Sequence, residues 1–232
     1  MQRVNFYYDY KKDAWSWVFI VKHKSSFWGL DKKKQMTFIP ADLIKRISKK
    51  NDKSAEKLVL NYLKNHPKKV IRQAAIKEEL TALQKSWEKV ENKYFSRLAK
   101  ITQKPKIFPE FKCYITTGFM CPYNEKENWF MVSFWHSIPQ SITTIAHEIF
   151  HLHFLHYYKK YCRKSLSQEQ TEDLKEAITF ILNTDFNDLI LKDDPGYPAH
   201  QKLRKKLEKI WKQNKNFNEF LDKAINVVKN SS

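Results

Sequence analysis

Glycine is scarce in this chain, accounting for only 3 of its 232 residues. Glycine-rich loops that cradle phosphate groups need several closely spaced glycines, so the sequence excludes a P-loop nucleotide site and a dinucleotide-binding fingerprint. Cysteine is equally scarce, and Cys113, Cys121 and Cys162 are widely spaced. Such a set fits reduced thiols better than a disulfide framework, and its spacing gives no support for a zinc ribbon.

Long apolar runs are also missing from the sequence. A transmembrane helix needs about 18 or more consecutive apolar residues, so we expect none here. The N-terminus does not show the basic segment followed by an apolar segment that marks a secretory signal. Together with the reduced cysteines, these absences lead us to expect a cytoplasmic protein.

Acidic residues are outnumbered, with 25 Asp+Glu against 43 Lys+Arg and a net charge of +18. Such a charge can attract nucleic acid or an anionic membrane surface. The basic residues are spread along the whole chain rather than held in one block, so we interpret most of them as solvated helix faces. The chain is 42% hydrophobic and 15% aromatic, which is enough for a substantial core.

The most informative stretch runs from Ser141 to Tyr158 and contains the pattern H-E-x-x-H, formed by His147, Glu148 and His151. Residues four apart lie above one another on one face of a helix, so the two imidazoles can bind one metal ion, which suits Zn²⁺. Glu148 lies about 100° around the helix, where it can reach a water on the metal without being a ligand. Apolar neighbours predict a buried helix, with Ser141 as its N-cap.

Two further histidines lie on the same predicted helix, His153 and His156. They point roughly 140–160° away from the mean direction of His147 and His151. We therefore interpret them as structural or surface residues. The H-E-x-x-H pattern also arises by chance, but this copy lies on an apolar helix followed by a second helix that carries acids.

The N-terminal part of the chain is rich in aromatic residues, among them Phe27 and Trp28. Aromatic and basic side chains together can stack nucleobases, but we interpret these aromatics as core. A short strand is predicted from Val4 to Tyr10, and either a buried strand or a helix capped by Asp13 follows up to Lys22. Helices are predicted over residues 41–49 and 54–65 and, as one long amphipathic run, over residues 67–101.

Pro105 and Pro109 mark a predicted boundary. Residues 1–105 are expected to form the aromatic segment and a helical extension, and residues 106–232 a metal-binding catalytic region, with one compact domain as the alternative. The fold class is therefore α+β, mainly α. Two antiparallel strands are predicted over residues 111–120 and 128–136, before the metal helix. Further helices are predicted over residues 167–191, capped by Ser165 or Ser167, and over residues 198–213 and 217–229.

A catalytic zinc ion needs a third protein ligand and an open position for water. The metzincin pattern H-E-x-x-H-x-x-G-x-x-H is absent, because Phe154 and Tyr157 stand at its glycine and histidine positions. In another class of peptidases the third ligand lies four residues beyond the second histidine. Here that position is Leu155, which cannot bind a metal ion, so this pattern is also absent. Over residues 111–192 the chain instead resembles the gluzincins, the thermolysin-like class of zinc peptidases.

This resemblance implies a zincin-like core, a zinc cofactor and a glutamate ligand on the helix after the metal helix. Glu172 and Glu176 both lie at a suitable distance along the chain. We favour Glu176 because it enters an apolar stretch, whereas Glu172 is nearer the helix start, where it can stabilise the helix dipole. Asp173 is positioned to orient a ligand through a hydrogen bond.

The resemblance also implies the reaction, which is hydrolysis of a peptide or protein substrate by a zinc-bound water that Glu148 activates. It assigns residues 128–132 to an edge strand that binds the substrate backbone. Tyr197 and His200 are the first candidates for stabilising the oxyanion, followed by Tyr157 and Tyr158.

Two alternatives stay open. The +18 charge is compatible with a peptidase that acts on nucleic-acid-bound proteins. It is also compatible with a non-enzymatic basic binding module, although a structural zinc in such a module normally uses closely spaced cysteines. We favour neither, and the sequence leaves the oligomeric state open.

Overall fold

The fold is described from a computed structural model, in which residues 2–23 and 29–230 are described. Phe27 and Trp28 lie outside these residues. The chain is an α+β protein that is mainly helical, as predicted. The strands are β1 (Arg3–Tyr7), β2 (Glu110–Thr116), β3 (Tyr123–Asn124) and β4 (Trp129–Ser133). The helices are α1 (Tyr10–Lys22), α2 (Lys32–Gln35), α3 (Ala41–Ser48), α4 (Asp52–Asn65), α5 (Lys69–Glu88), α6 (Glu91–Thr102), α7 (Ile138–Cys162), α8 (Gln168–Ala177), α9 (Phe180–Asp185), α10 (Gln201–Gln213) and α11 (Phe217–Lys229).

The four strands form one mixed sheet in the order β1-β2-β4-β3. β1 pairs with β2 in parallel, with Val4 opposite Phe111. β2 pairs with β4 in parallel, and β3 pairs with β4 antiparallel, with Tyr123 opposite Phe130. The predicted antiparallel pairing of residues 111–120 with 128–136 is therefore wrong. The segment between them returns through β3, which occupies the far side of β4.

The strand expected to lie at the edge of the sheet is also corrected. β4 lies between β2 and β3, so it is not an edge strand, and all five of its residues are buried. A strand covered on both faces reads as a continuous apolar run, as Trp129 to Val132 does. The edge strand on this side of the sheet is β3, so residues 128–132 cannot accept a substrate strand.

Several helix boundaries differ from the predicted ones. Residues 13–22 are helical, but Asp9 caps α1 and Asp13 lies in its first turn. The predicted run over residues 67–101 divides into α5 and α6 around Val90, and β1 ends at Tyr7. α7 begins after Ser137, whose side chain accepts a hydrogen bond from the Gln140 N–H, so Ser141 is not the N-cap.

The predicted helix over residues 167–191 is also divided. Ser167 caps α8 through a capping box with Gln170, which satisfies two backbone donors. α8 then ends at Ala177, where the Thr179 hydroxyl donates to the Glu176 carbonyl at 2.8 Å. A threonine that bonds the backbone in this way competes with helix continuation. α9 restarts at Phe180.

The buried apolar residues form two clusters. The smaller cluster joins α1, α3 and α4 through residues such as Trp17, Leu43 and Val59. The larger one combines the sheet with α5 to α11 and takes residues from both sides of the predicted 105/106 boundary, for example Trp87 and Phe150. No helix in the described residues is long and apolar enough to cross a membrane.

Candidate metal centre

Helix α7 carries the H-E-x-x-H pattern through the larger core. His147, Glu148 and His151 are all buried, and the apolar residues between them, such as Ile149 and Phe150, pack in the same core. The imidazole centroids of His147 and His151 lie 4.1 Å apart. The i, i+4 spacing therefore places both rings on one side of the helix, as the sequence predicted.

The three predicted ligands come together. The ligand atoms of His147, His151 and Glu176 lie within 4.8 Å of one another. Glu176 Oε2 is 3.0 Å from His151 Nε2 and 3.4 Å from His147 Nε2. This buried group could hold a metal ion. The alternative ligand, Glu172, instead pairs with Lys175 at 2.8 Å.

The protonation states of the ligands have identifiable causes. Burial lowers the pKa of His151 to about 3, which keeps its ring neutral. Burial raises the pKa of Glu176, but the contact with His151, the Lys175 ammonium and the contact with His147 outweigh it and hold the pKa of that carboxyl well below its usual range. A neutral imidazole and an ionised carboxylate are the forms that bind metal.

His147 is supported by a carboxylate that the sequence analysis did not single out. Its Nδ1 lies 3.1 Å from Asp194 Oδ1. Burial opposes protonation of His147, but the Asp194 charge raises the pKa of the ring well above its usual value. Asp194 is held in turn by Arg204 at 3.0 Å and by the Thr179 hydroxyl at 2.6 Å. This network fixes the ring so that Nε2 faces Glu176.

Lys175 is a second residue that the sequence analysis missed. Its side chain is buried, and its Nζ lies 3.0 Å from Glu176 Oε1. The same ammonium donates a hydrogen bond of 2.7 Å to the Tyr123 hydroxyl on β3. Burial opposes its charge, but Glu176, Tyr123 and Glu172 raise the pKa of Lys175 well above its usual value. Lys175 thus occupies one carboxylate oxygen of Glu176 and leaves Oε2 toward the histidines.

Glu148 differs from the three potential ligands because one of its carboxylate oxygens makes no hydrogen bond within the described residues. Among the described residues, its buried Oε2 has no hydrogen-bond partner. Burial raises the pKa of Glu148 to about 8. A buried polar atom without a partner costs free energy, so it marks a position kept for something other than stability.

The three potential ligands His147, His151 and Glu176, called the metal group below, line a cleft of about 940 Å³. Phe19 and His23 from the end of α1 line the cleft, as do residues 119–123 leading into β3. Glu169 and the segment 194–197 are also among the lining residues, as are His147, Glu148, His151 and Glu176 themselves. The group is therefore buried yet reachable from the cleft.

The predicted oxyanion donors Tyr197 and His200 both line this cleft. His200 is buried, and its Nε2 lies 2.9 Å from Asp173 Oδ1. Asp173 therefore orients His200 rather than one of the three predicted ligands. Burial raises the pKa of Tyr197 well above its usual value, and the charges of Glu176 and Glu148 add to this effect.

The remaining histidines and tyrosines of α7 have structural contacts away from the cleft. His153 Nε2 lies 2.8 Å from the Thr102 hydroxyl, and His156 is exposed. The Tyr157 and Tyr158 hydroxyls donate to the carbonyls of Pro105 and Thr102, respectively. Neither tyrosine lines the cleft, so both fail as oxyanion donors.

Three residues of the site were not predicted, namely Asp194, Arg204 and Lys175. The sequence around them is typical of common structural elements and does not indicate a role at a metal site. Asp194 belongs to a D-D-P-G turn, and Arg204 to an amphipathic helix rich in lysine. Only Lys175 could have been suspected of a role at the site, because it directly precedes the predicted ligand Glu176.

The chain matches no protein-family model, and its comparison with curated proteins and with solved structures gives no significant match.

Proposed function

We propose that this protein is a zinc-dependent hydrolase of peptide bonds with a gluzincin-like site. The observation that carries the proposal is the convergence of His147, His151 and Glu176 within 4.8 Å of one another, beside Glu148 in the wall of one cleft. Two histidines and one carboxylate form a ligand set used by catalytic zinc sites, which keep one position open.

The residues present fit a zinc ion by their chemistry. His151 and Glu176 are already in their metal-binding forms, whereas His147, whose pKa is raised, would release a proton as a metal ion binds. Asp194 orients His147 as carboxylates orient histidine ligands in zinc sites. A structural zinc site would be closed by four protein ligands, whereas this group of three faces a cleft. When bound, zinc polarises a scissile carbonyl and lowers the pKa of a water toward about 7.

Glu148 is the general base of this proposal. Its uncommitted Oε2 is available to take a proton from the attacking water. Burial raises the pKa of Glu148 to about 8, so the carboxyl is mostly protonated near neutral pH without a metal. The positive charge of a bound zinc ion would favour the ionised base, and the proton that it takes would then pass to the leaving amine. Glu148 thus acts first as a base and then as an acid.

His200 and Tyr197 serve as hydrogen-bond donors to the oxyanion that develops during the attack. The contact between His200 Nε2 and Asp173 fixes the orientation of the imidazole ring. The high pKa of Tyr197 keeps its hydroxyl protonated, so that it can donate.

The substrate backbone binds as an added strand along β3. This two-residue strand pairs with β4 on one side only and lies at the edge of the sheet. The Tyr123 ring centroid lies 6.0 Å from that of His151, so this edge runs beside the metal group. Strand addition uses such open edges because their backbone groups lack partners within the sheet.

The test is hydrolysis of a mixed peptide library by the zinc-loaded protein, with Glu148→Gln as the key variant. We expect cleavage that a chelator abolishes and zinc restores, and a loss of several orders of magnitude in Glu148→Gln with zinc retained. Glu172→Gln is the matched control in the same cleft and should stay active. Absence of cleavage in the zinc-loaded wild type, or equal activity in Glu148→Gln, would overturn the proposal.

A further inference from the structure

The corner between α4 and α5 carries an apolar stripe that faces away from the core. Val70 and Ile71 are 71% and 70% exposed, and Ala74 one turn later is exposed as well. At about 100° per residue these side chains share one helix face. The opposite face of α5 holds the buried residues Ile76 and Leu83.

The stripe lies in a basic stretch of the chain. Residues 57–77 contain six basic residues and no acidic residue. Four of the lysines surround the stripe in sequence and are exposed, namely Lys64, Lys68, Lys69 and Lys77. The acid-free stretch ends at Glu78. Exposed aliphatic residues and cations are thus concentrated on one corner.

The corner is an ordered feature of the fold. The Arg72 guanidinium donates a hydrogen bond to the Leu63 carbonyl near the end of α4. The Lys68 N–H donates to His66 Nδ1 at 3.1 Å in the turn between the helices. These contacts hold the first turn of α5 against the end of α4, so Val70 and Ile71 are presented on a fixed surface.

We propose that this corner docks on an anionic phospholipid membrane surface, with Val70 and Ile71 inserted among the acyl chains and the lysines at the headgroups. Interfacial helices combine an apolar face with lysine or arginine on the polar side, and lysine stems reach from one zone to the other. Each lysine near an anionic surface contributes attraction that salt screens. The net charge of +18 supplies further long-range attraction.

The same residues fit other partners less well. Nucleic-acid surfaces use aromatic rings for stacking or polar groups for base edges, whereas valine, isoleucine and alanine offer neither. A stable protein interface needs about 20–30 residues on each side, and this stripe offers three apolar side chains. A membrane requires no such area, because a few inserted side chains act together with charge.

The test is sedimentation of the 232-residue chain with vesicles of phosphatidylcholine alone or with added phosphatidylserine. We expect binding only to the anionic vesicles, with weakening by salt. Val70→Ser/Ile71→Ser, which keeps the charge, should lower the partition coefficient by about tenfold or more. Leu191→Ser is the matched control, because Leu191 is 90% exposed outside the corner, and it should change binding by less than about twofold.

Circular dichroism should show that all variants remain folded, since the changed residues are exposed. The proposal is overturned if the anionic vesicles do not bind the wild type, or if the double serine variant binds them as the wild type does. It is also overturned if the double serine variant loses binding to duplex DNA by the same factor as binding to vesicles, because the stripe would then not be specific for a membrane. Self-association of the wild type that disappears in the variant would assign the stripe to a second copy instead.

Discussion

Asp13 and Glu148 are two buried carboxylates with opposite surroundings. Asp13 lies in the first turn of α1 and accepts four hydrogen bonds, from the Tyr8 and Thr116 hydroxyls and from both the N–H and the hydroxyl of Thr117. These contacts tie α1 to the end of β2. Glu148 is buried to a similar degree, but its Oε2 has no partner among the described residues.

The difference separates a structural acid from one that is available for chemistry. Burial raises the pKa of both groups, so the pKa shift alone does not distinguish them. The hydrogen-bond partners do. Every acceptor position used at Asp13 stabilises the fold, whereas Glu148 has one oxygen without a partner among the described residues and lines a cleft with three potential metal ligands.

The largest expected effect concerns the acid that completes the metal group. Glu176→Ala removes one of three ligands and should lower zinc affinity by about a thousandfold or more. Glu172→Ala is the matched control, because it removes only the contact with Lys175, and should change the affinity by less than about tenfold. Competition with a chelator measures both. The opposite ranking would transfer the ligand to Glu172.

The second prediction tests the structural side of the comparison. Asp13→Ala leaves four donors, three of them buried, without their acceptor and should lower the free energy of unfolding by about 3 kcal/mol. Glu148→Gln should leave the stability of the metal-free protein unchanged or raise it, since it replaces a buried carboxyl whose Oε2 has no hydrogen-bond partner among the described residues. Chemical denaturation measures both, and equal losses would remove the distinction.

The third prediction concerns Asp194, the carboxylate behind His147. Asp194→Asn retains the side-chain shape but removes the charge that orients the ring, and should lower zinc affinity by about 10–100-fold. The exposed Asp193→Asn is the matched control and should bind zinc as the wild type does. An unchanged affinity in Asp194→Asn would show that His147 needs no such support.

Sequence reasoning located the two histidines and Glu176 because their placement follows from local rules. The i, i+4 spacing fixes the relation of His147 to His151, and the apolar stretch after Glu176 indicates burial. Asp194 and Arg204 escaped notice because their contacts depend on tertiary structure, where the turn after α9 and the helix α10 meet behind His147. The residue pattern within one segment does not reveal which other segments it contacts in the folded protein.

The strand pairing was mispredicted for a similar reason. Residues 111–120 and 128–136 are separated by turn signals, which favour a hairpin. In the structure the intervening segment forms β3, and its pairing with β4 leaves the other side of β4 to β2. The length of the segment between two strands does not reveal whether that segment contains a third strand.

Zinc content tests the central claim most directly. Elemental analysis of the purified, zinc-equilibrated protein should give about one zinc per chain, and His147→Ala/His151→Ala should give almost none while keeping a native circular dichroism spectrum. His156→Ala, an exposed histidine on the same helix, should retain the wild-type content. Unchanged zinc in the folded double variant would contradict the account, because the metal would then lie elsewhere.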